Sequence, residues 1–273
     1  MTKREGNSGN SILDGVESVL NEKLGLQAPH RYEHAKSYLI LSKEPVSSFA
    51  GRALIKAIFD RVESNWNKAC YHNPSEENWR FEPRTDIDEN NEDPEIRLER
   101  AIVKSLASIR DDVVWANQVP TASGFVAPHA DGHRNIDLVH RCEDDSYEFI
   151  ELKWESNTPL FAAMEILQYG VIYIFSRLKR EIRDVATEKR LLDAPVVHLR
   201  VLAPFSYYRR GGLAWLERSI SVGLREFLTE RRCGFQMDFQ FQAFPRDFRL
   251  DRPFRLDPDI IARAVVDRFP VNR

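Results

Sequence analysis

Between Arg134 and Lys153 the chain leaves little freedom about what it can become. Two runs rich in β-branched and aromatic residues, Arg134 to Cys142 and Tyr147 to Lys153, flank the acidic stretch Glu143-Asp144-Asp145-Ser146. That pattern predicts a β-hairpin closed by a polar turn. Side chains alternate along a strand with period two, so Phe149, Glu151 and Lys153 share one face while Ile150 and Leu152 share the other. The apolar pair must face a core, which leaves a carboxylate and an ammonium side by side on a strand too hydrophobic to lie on the surface. Asp137 on the neighbouring strand can join them, with Ile136 and Leu138 facing away. A bare Glu-x-Lys is also what an ordinary cross-face ion pair looks like. Two carboxylates with an ammonium fit a small divalent-metal site instead: a hard cation such as Mg²⁺ (or Mn²⁺) takes one or two protein carboxylates and keeps several waters. Asp137 and Glu151 are the expected ligands, with the Leu152 carbonyl as a third oxygen. Lys153 would assist an attacking water and offset charge building up on a phosphate.

A 273-residue chain with 42% hydrophobic residues and 16 Phe can bury one large core or a core with an appendage. Its formal charge of −3 carries no polycation signature, but charge is unevenly spread. Residues 75–99 hold 10 Asp/Glu against 3 Arg, whereas residues 200–273 hold 14 Arg, no Lys and 9 Asp/Glu. Arginine suits bidentate phosphate contacts better than lysine. Three distant cysteines with no CxxC pair give no disulfide framework, and the polar start MTKREGNSGN has no signal-peptide core. A reducing, cytoplasmic setting and no membrane association are therefore expected.

In order along the chain, a flexible tail (1–10) precedes a helical N-terminal region (11–70). That region has a helix ending at Gly25, an ambiguous Tyr38-Leu39-Ile40-Leu41 that reads as strand or helix end, and a helix over 49–67 with Leu54, Ile58, Val62 and Trp66 on one stripe. The polar, acidic stretch 71–93 reads as a linker or loop, and 94–273 as the α/β core. Asp93-Pro94 is a helix start, Asp as N-cap and Pro first in the helix. Glu99 falls on that helix's apolar stripe with Ile96, Val103 and Leu106, where a carboxylate needs a cation or a metal, a nearby Arg being the ordinary alternative; Glu95, one turn earlier, is the fallback. A strand near 113–119, the hairpin and a long apolar helix over 160–183 follow. Glu165 and Gln168 form a polar notch on that helix. A strand at 196–203, a helix at 213–231, an alternating strand at 235–244 and a terminal helix at 255–269, with Ile260, Ile261, Val265 and Val266 inward, complete the expectation.

Helix, three strands, helix, strand, with Asp137 on the second strand and Glu151-Leu152-Lys153 on the third, resembles the PD-(D/E)XK nuclease superfamily over residues 95–203. The resemblance implies a restriction-endonuclease-like mixed sheet flanked by helices. It also implies that Asp137 and Glu151 bind Mg²⁺, that Lys153 assists the attacking water, that Glu99 supports the metal site, and that Gln168 on the following helix contacts the catalytic groups. Two positions depart from the family pattern: Ile136 stands where Pro is usual, and Ile172 stands where one branch has Tyr, with Tyr169 and Tyr173 to either side. The expected activity is metal-dependent hydrolysis of nucleic acid, with DNA the favoured polymer and a homodimer left open. The alternative is a catalytically inactive module of the same fold that binds nucleic acid or a protein.

Overall fold

The computed structural model describes residues 11–43, 49–86, 93–107, 114–154, 156–185, 190–250 and 257–272. The expected tail 1–10 lies outside them. Six strands form one mixed sheet: β1 (Trp115–Pro120), β2 (Asn135–Arg141), β3 (Tyr147–Leu152), β4 (Val196–Pro204), β5 (Gln236–Phe244) and β6 (Phe269–Pro270), in that spatial order. The first three form an antiparallel meander, β3, β4 and β5 run parallel, and β6 returns antiparallel along β5. Both edges carry a proline, Pro120 on β1 and Pro270 on β6.

Each parallel step needs a crossover, and a helix supplies it. Between β3 and β4 runs α5 (Pro159–Leu178), started by Thr158, whose side chain accepts from the Phe161 N–H, and by Pro159 in the first turn. It is the one helix among the described residues long and apolar enough to cross a membrane, and 83% of its apolar window is buried inside the protein. It lies on β3 and β4 and is covered from outside by α3 (Gly51–Lys68), so nearly every side needs an apolar residue. It stops at Leu178, and the expected extension to 183 is a separate short helix, α6 (Arg180–Val185). Between β4 and β5 runs α7 (Ala214–Glu230). Where α3 crosses α7, glycine is required on both. A Cβ on Gly51 would lie 1.8 Å from the Ser219 carbonyl oxygen, and one on Gly223 2.3 Å from the Arg52 nitrogen.

The opposite face of the sheet is covered by α4 (Pro94–Ala107) and α8 (Pro258–Val266). Asp93 caps α4 through the Glu95 N–H at 2.9 Å, and Asp257 caps α8. On α8 only part of the expected inward set is buried: Ile261 and Val265 face α4, whereas Ile260 and Val266 are 57% and 71% exposed. A nine-residue helix resting on one partner has a single stripe, here 261, 264 and 265, and 260 and 266 fall outside it.

The N-terminal helices join the same core. The helices α1 (Val16–Lys23) and α3 share one apolar cluster with the sheet face under α5, including the expected stripe Leu54, Ile58, Val62 and Trp66. The ambiguous Tyr38–Leu41 segment is helical, within α2 (Ala35–Lys43). Of the stretch expected as a linker, residues 71–86 and Asp93 are described. Residues 71–86 run against the sheet, and Trp79 is fully buried, stacked on Phe149 and edge-on to Tyr173.

Candidate active site

The hairpin register decides which side chains meet. Leu138 pairs with Ile150 and Val139 with Phe149, so one residue further along Asp137 comes opposite Glu151. Val139 and Phe149 belong to the core under α5, whereas Leu138, Ile150 and Leu152 belong to the core under α4 and α8. Alternation therefore puts Asp137, Glu151 and Lys153 on the α5 face together. The Leu152 N–H donates to Asp137 Oδ2 at 2.9 Å, tying that carboxylate to the end of β3.

Lys153 Nζ stands 2.5 Å from Glu151 Oε1 and 3.1 Å from Glu165 Oε2 on α5. Burial works against its charge, but Glu151, Glu165 and Asp137 outweigh it and hold the ammonium above the ordinary lysine range. Among these carboxylates Lys153 is held as a cation that donates to Glu151 and Glu165. Glu151 is 2% exposed, and its buried Oε2 meets no N–H donor among the described residues; the side chain within hydrogen-bond reach is the acidic Glu165. Burial and the neighbouring Asp137 and Glu165 carboxylates push its carboxyl well up. Asp137 is raised too, by burial, against the pull of Lys153 and the Leu152 N–H. Two acids that resist ionisation and a buried oxygen that meets no N–H donor are what a site for a hard cation presents before the cation binds.

Among the described residues no arginine lies at hydrogen-bond distance from Glu99. Its carboxylate accepts from Asn117 Nδ2 (2.7 Å) and Gln118 Nε2 (2.5 Å), both on β1. Gln118 falls opposite Asp137, between the pairs Asn117–Leu138 and Val119–Ile136, and has a left-handed φ of 48°. Such backbone strain in a non-glycine residue is held in place by its surroundings; here it aims the amide at Glu99. Burial and then Asp137 raise the Glu99 carboxyl to about 8, the two amides opposing. A raised carboxyl favours the native state while protonated, so its contribution is full below 4.5 and is lost as pH rises toward 8. Because Gln mimics the protonated acid, melting curves of wild type and Glu99→Gln should run parallel below that window and separate as the pH is raised through it, wild type losing stability relative to the variant. A pH-independent difference would place the proton elsewhere.

Glu95, in the first turn of α4, accepts from the Trp154 N–H (2.8 Å) and Ser156 Oγ (2.6 Å), fixing the backbone after Lys153. Gln168 turns back onto its own helix, donating to the Met164 carbonyl at 3.0 Å, and also bonds Tyr32. The α5 side chain that reaches Lys153 is Glu165, one turn earlier. Two tyrosines complete the surroundings. Tyr169 is buried, its hydroxyl pushed up by burial and then by Glu151, Glu165 and Asp137. The Tyr207 hydroxyl is buried without a hydrogen-bond partner among the described residues. Burial raises its pKa; among nearby charges Lys153 acts against that, and Glu95, Glu151 and Glu165 reinforce it.

A second cluster lies on the other face of the sheet. His140, Cys142 and Glu148 have ligand atoms within 4.8 Å of one another, close enough to hold a metal ion. Imidazole, thiol and carboxylate suit a softer ion than Mg²⁺. Glu148 is already engaged: it bonds His140 Nδ1 (2.9 Å) and Arg268, and Arg200 Nε stands 3.6 Å away. These partners overcome burial and hold its carboxyl at about 2. The cluster lines a cavity of about 710 Å³. Comparison with protein-family models, curated proteins and solved structures finds no match to this chain.

Proposed function

We propose that the chain is a divalent-metal-dependent nuclease of restriction-endonuclease-like architecture, hydrolysing phosphodiester bonds in nucleic acid, DNA being the favoured polymer, in the cytoplasm. The observation that carries the reading is the meeting of Asp137, Glu151 and Lys153 on one sheet face around a buried Glu151 oxygen that meets no N–H donor among the described residues. The order α4–β1–β2–β3–α5–β4 supports it, because it is the helix–three-strand–helix–strand order on which the family resemblance rests.

Asp137 and Glu151, with the Leu152 carbonyl, would hold Mg²⁺ or Mn²⁺, which supplies positive charge for the phosphate and eases deprotonation of water. The chain's own residues do the rest. The Lys153 ammonium orients water and offsets charge developing on the phosphate oxygens in a site largely shut off from solvent. Glu165 holds that ammonium from α5, and Glu95 fixes the backbone behind it. Glu99, gripped by Asn117 and Gln118, stands behind Asp137 as a protonated neighbour that adds no charge to the pair.

The test is degradation of plasmid, linear duplex, single-stranded DNA and RNA with Mg²⁺, with Mn²⁺ and with EDTA, for wild type and Glu151→Gln. Metal-dependent cleavage lost in the variant supports the reading. Cleavage that persists in Glu151→Gln points to another site or a contaminant. Salt-sensitive binding with no cleavage of any polymer favours an inactive binding module.

A further inference from the structure

Beside the candidate site the surface is rich in arginine. Two cavities of about 280 and 290 Å³ flank Trp154, the residue after Lys153, and share both Trp154 and Ser206 in their walls. One is lined by Arg209, Arg246 and Arg249, the other by Arg210 and Tyr207. Tyr207 carries this surface to the carboxylate–lysine cluster, whose charges its buried hydroxyl feels.

All four guanidinium groups are on exposed residues, and none is ion-paired with a carboxylate among the described residues. Some exposed arginines elsewhere find such partners (Arg52 with Glu230, Arg180 with Asp184, Arg183 with Asp193, Arg263 with Asp267), and others, such as Arg218, Arg225 and Arg232, have none among the described residues; what sets these four apart is their clustering in cavities around Trp154. Two of the four are also pre-set. Arg246 lies 4.2 Å over the Phe205 ring, and Arg249 Nη1 donates to the Arg246 and Phe248 carbonyls at 2.6 and 2.8 Å. Trp154 is held edge-on by Phe248 and stays half-buried, with part of its ring in the wall of both cavities. Unpaired arginines held in place beside an indole are what a single-stranded nucleic acid needs: guanidinium for phosphate, an aromatic face for an unpaired base.

We infer that Arg209, Arg210, Arg246 and Arg249, with Trp154 as stacking platform, form a track that grips a single nucleic-acid strand and leads it past Tyr207 to the site. This deepens the nuclease reading by naming the substrate form, and it rests on that reading for what happens at the track's end.

The experiment is fluorescence anisotropy of the full chain with a labelled single-stranded oligonucleotide in EDTA, over a salt series, beside cleavage assays. The variants are the quadruple Arg→Gln at 209, 210, 246 and 249, Trp154→Ala, and Glu151→Gln, with thermal melts to check folding. Each phosphate contact contributes about 0.7 to the salt slope for a single strand, so the quadruple variant should lower the slope by about 3. Trp154→Ala should weaken binding about 5- to 100-fold at an unchanged slope. An unchanged slope in the folded quadruple variant, or no binding by wild type, overturns the track. Arginine-dependent binding without cleavage of any polymer keeps the track and removes the nuclease reading. Metal-dependent cleavage lost in Glu151→Gln, with binding indifferent to the arginines, does the reverse.

Discussion

Replacing Lys153 with methionine is expected to lower metal-dependent cleavage by about 10²–10⁴-fold, the range seen when a positioned donor or proton-transfer group is lost. Methionine keeps the stem's apolar packing and deletes only the cation. The metal response should behave differently. Lys153 is the positive charge already set among Asp137, Glu151 and Glu165, so its removal leaves three acidic groups with less opposing charge. Mg²⁺ should therefore raise the melting temperature of Lys153→Met at least as much as that of wild type, while the metal-free variant melts lower because it has lost a buried ion pair. Lost cleavage with a retained metal shift separates a catalytic lysine from one that only glues β3 to α5. Cleavage within a few-fold of wild type would remove Lys153 from the chemistry.

Glu148→Gln should be among the most destabilising conservative substitutions in the protein, costing about 3–5 kcal/mol near neutral pH. Its carboxylate joins β3 to His140 on β2, to Arg200 on β4 and to Arg268 just beyond α8, and Arg200 goes on to Asp238 on β5 at 2.5 Å. Removing the charge leaves Arg268 without a carboxylate partner among the described residues and leaves Arg200, 7% exposed, with Asp238 alone. The sign with pH follows from a carboxyl held at about 2 against an ordinary 4.5. Its stabilisation is present above 4.5 and disappears as the pH falls toward 2, so the gap between wild type and variant in denaturant midpoints should close on acidification. A gap that stays constant would mean that shape, not charge, holds this network.

Period two was easy to read in the hairpin because one face of β3 is buried under aliphatic residues, and the same pattern predicted the convergence of Asp137, Glu151 and Lys153. Register counting about the turn also contained His140 opposite Glu148, a pair the sequence reading did not use. Choices among helix residues were less legible. Glu165 and Gln168 share a face of α5, and only the reach of Lys153 selects Glu165. Tyr207 sits in a four-residue 3₁₀ helix (Phe205–Tyr208) after β4, too short for any periodicity to mark it. The acidic stretch 71–86 reads as a loop by composition, yet one residue, Trp79, anchors it in the core. The α8 pattern misled because four aliphatics in a short helix look like a broad buried face, while its partner α4 covers only one stripe.

The two edge prolines bear on how copies of this chain can associate. Neither Pro120 nor Pro270 has an amide hydrogen to offer, and β6 is two residues long, so both margins of the sheet are poor templates for another strand. A dimer built by continuing the sheet across two subunits is thereby disfavoured. Any self-assembly would draw on helical surfaces or loops, leaving the hairpin that carries Asp137 and Glu151 inside each subunit's own sheet.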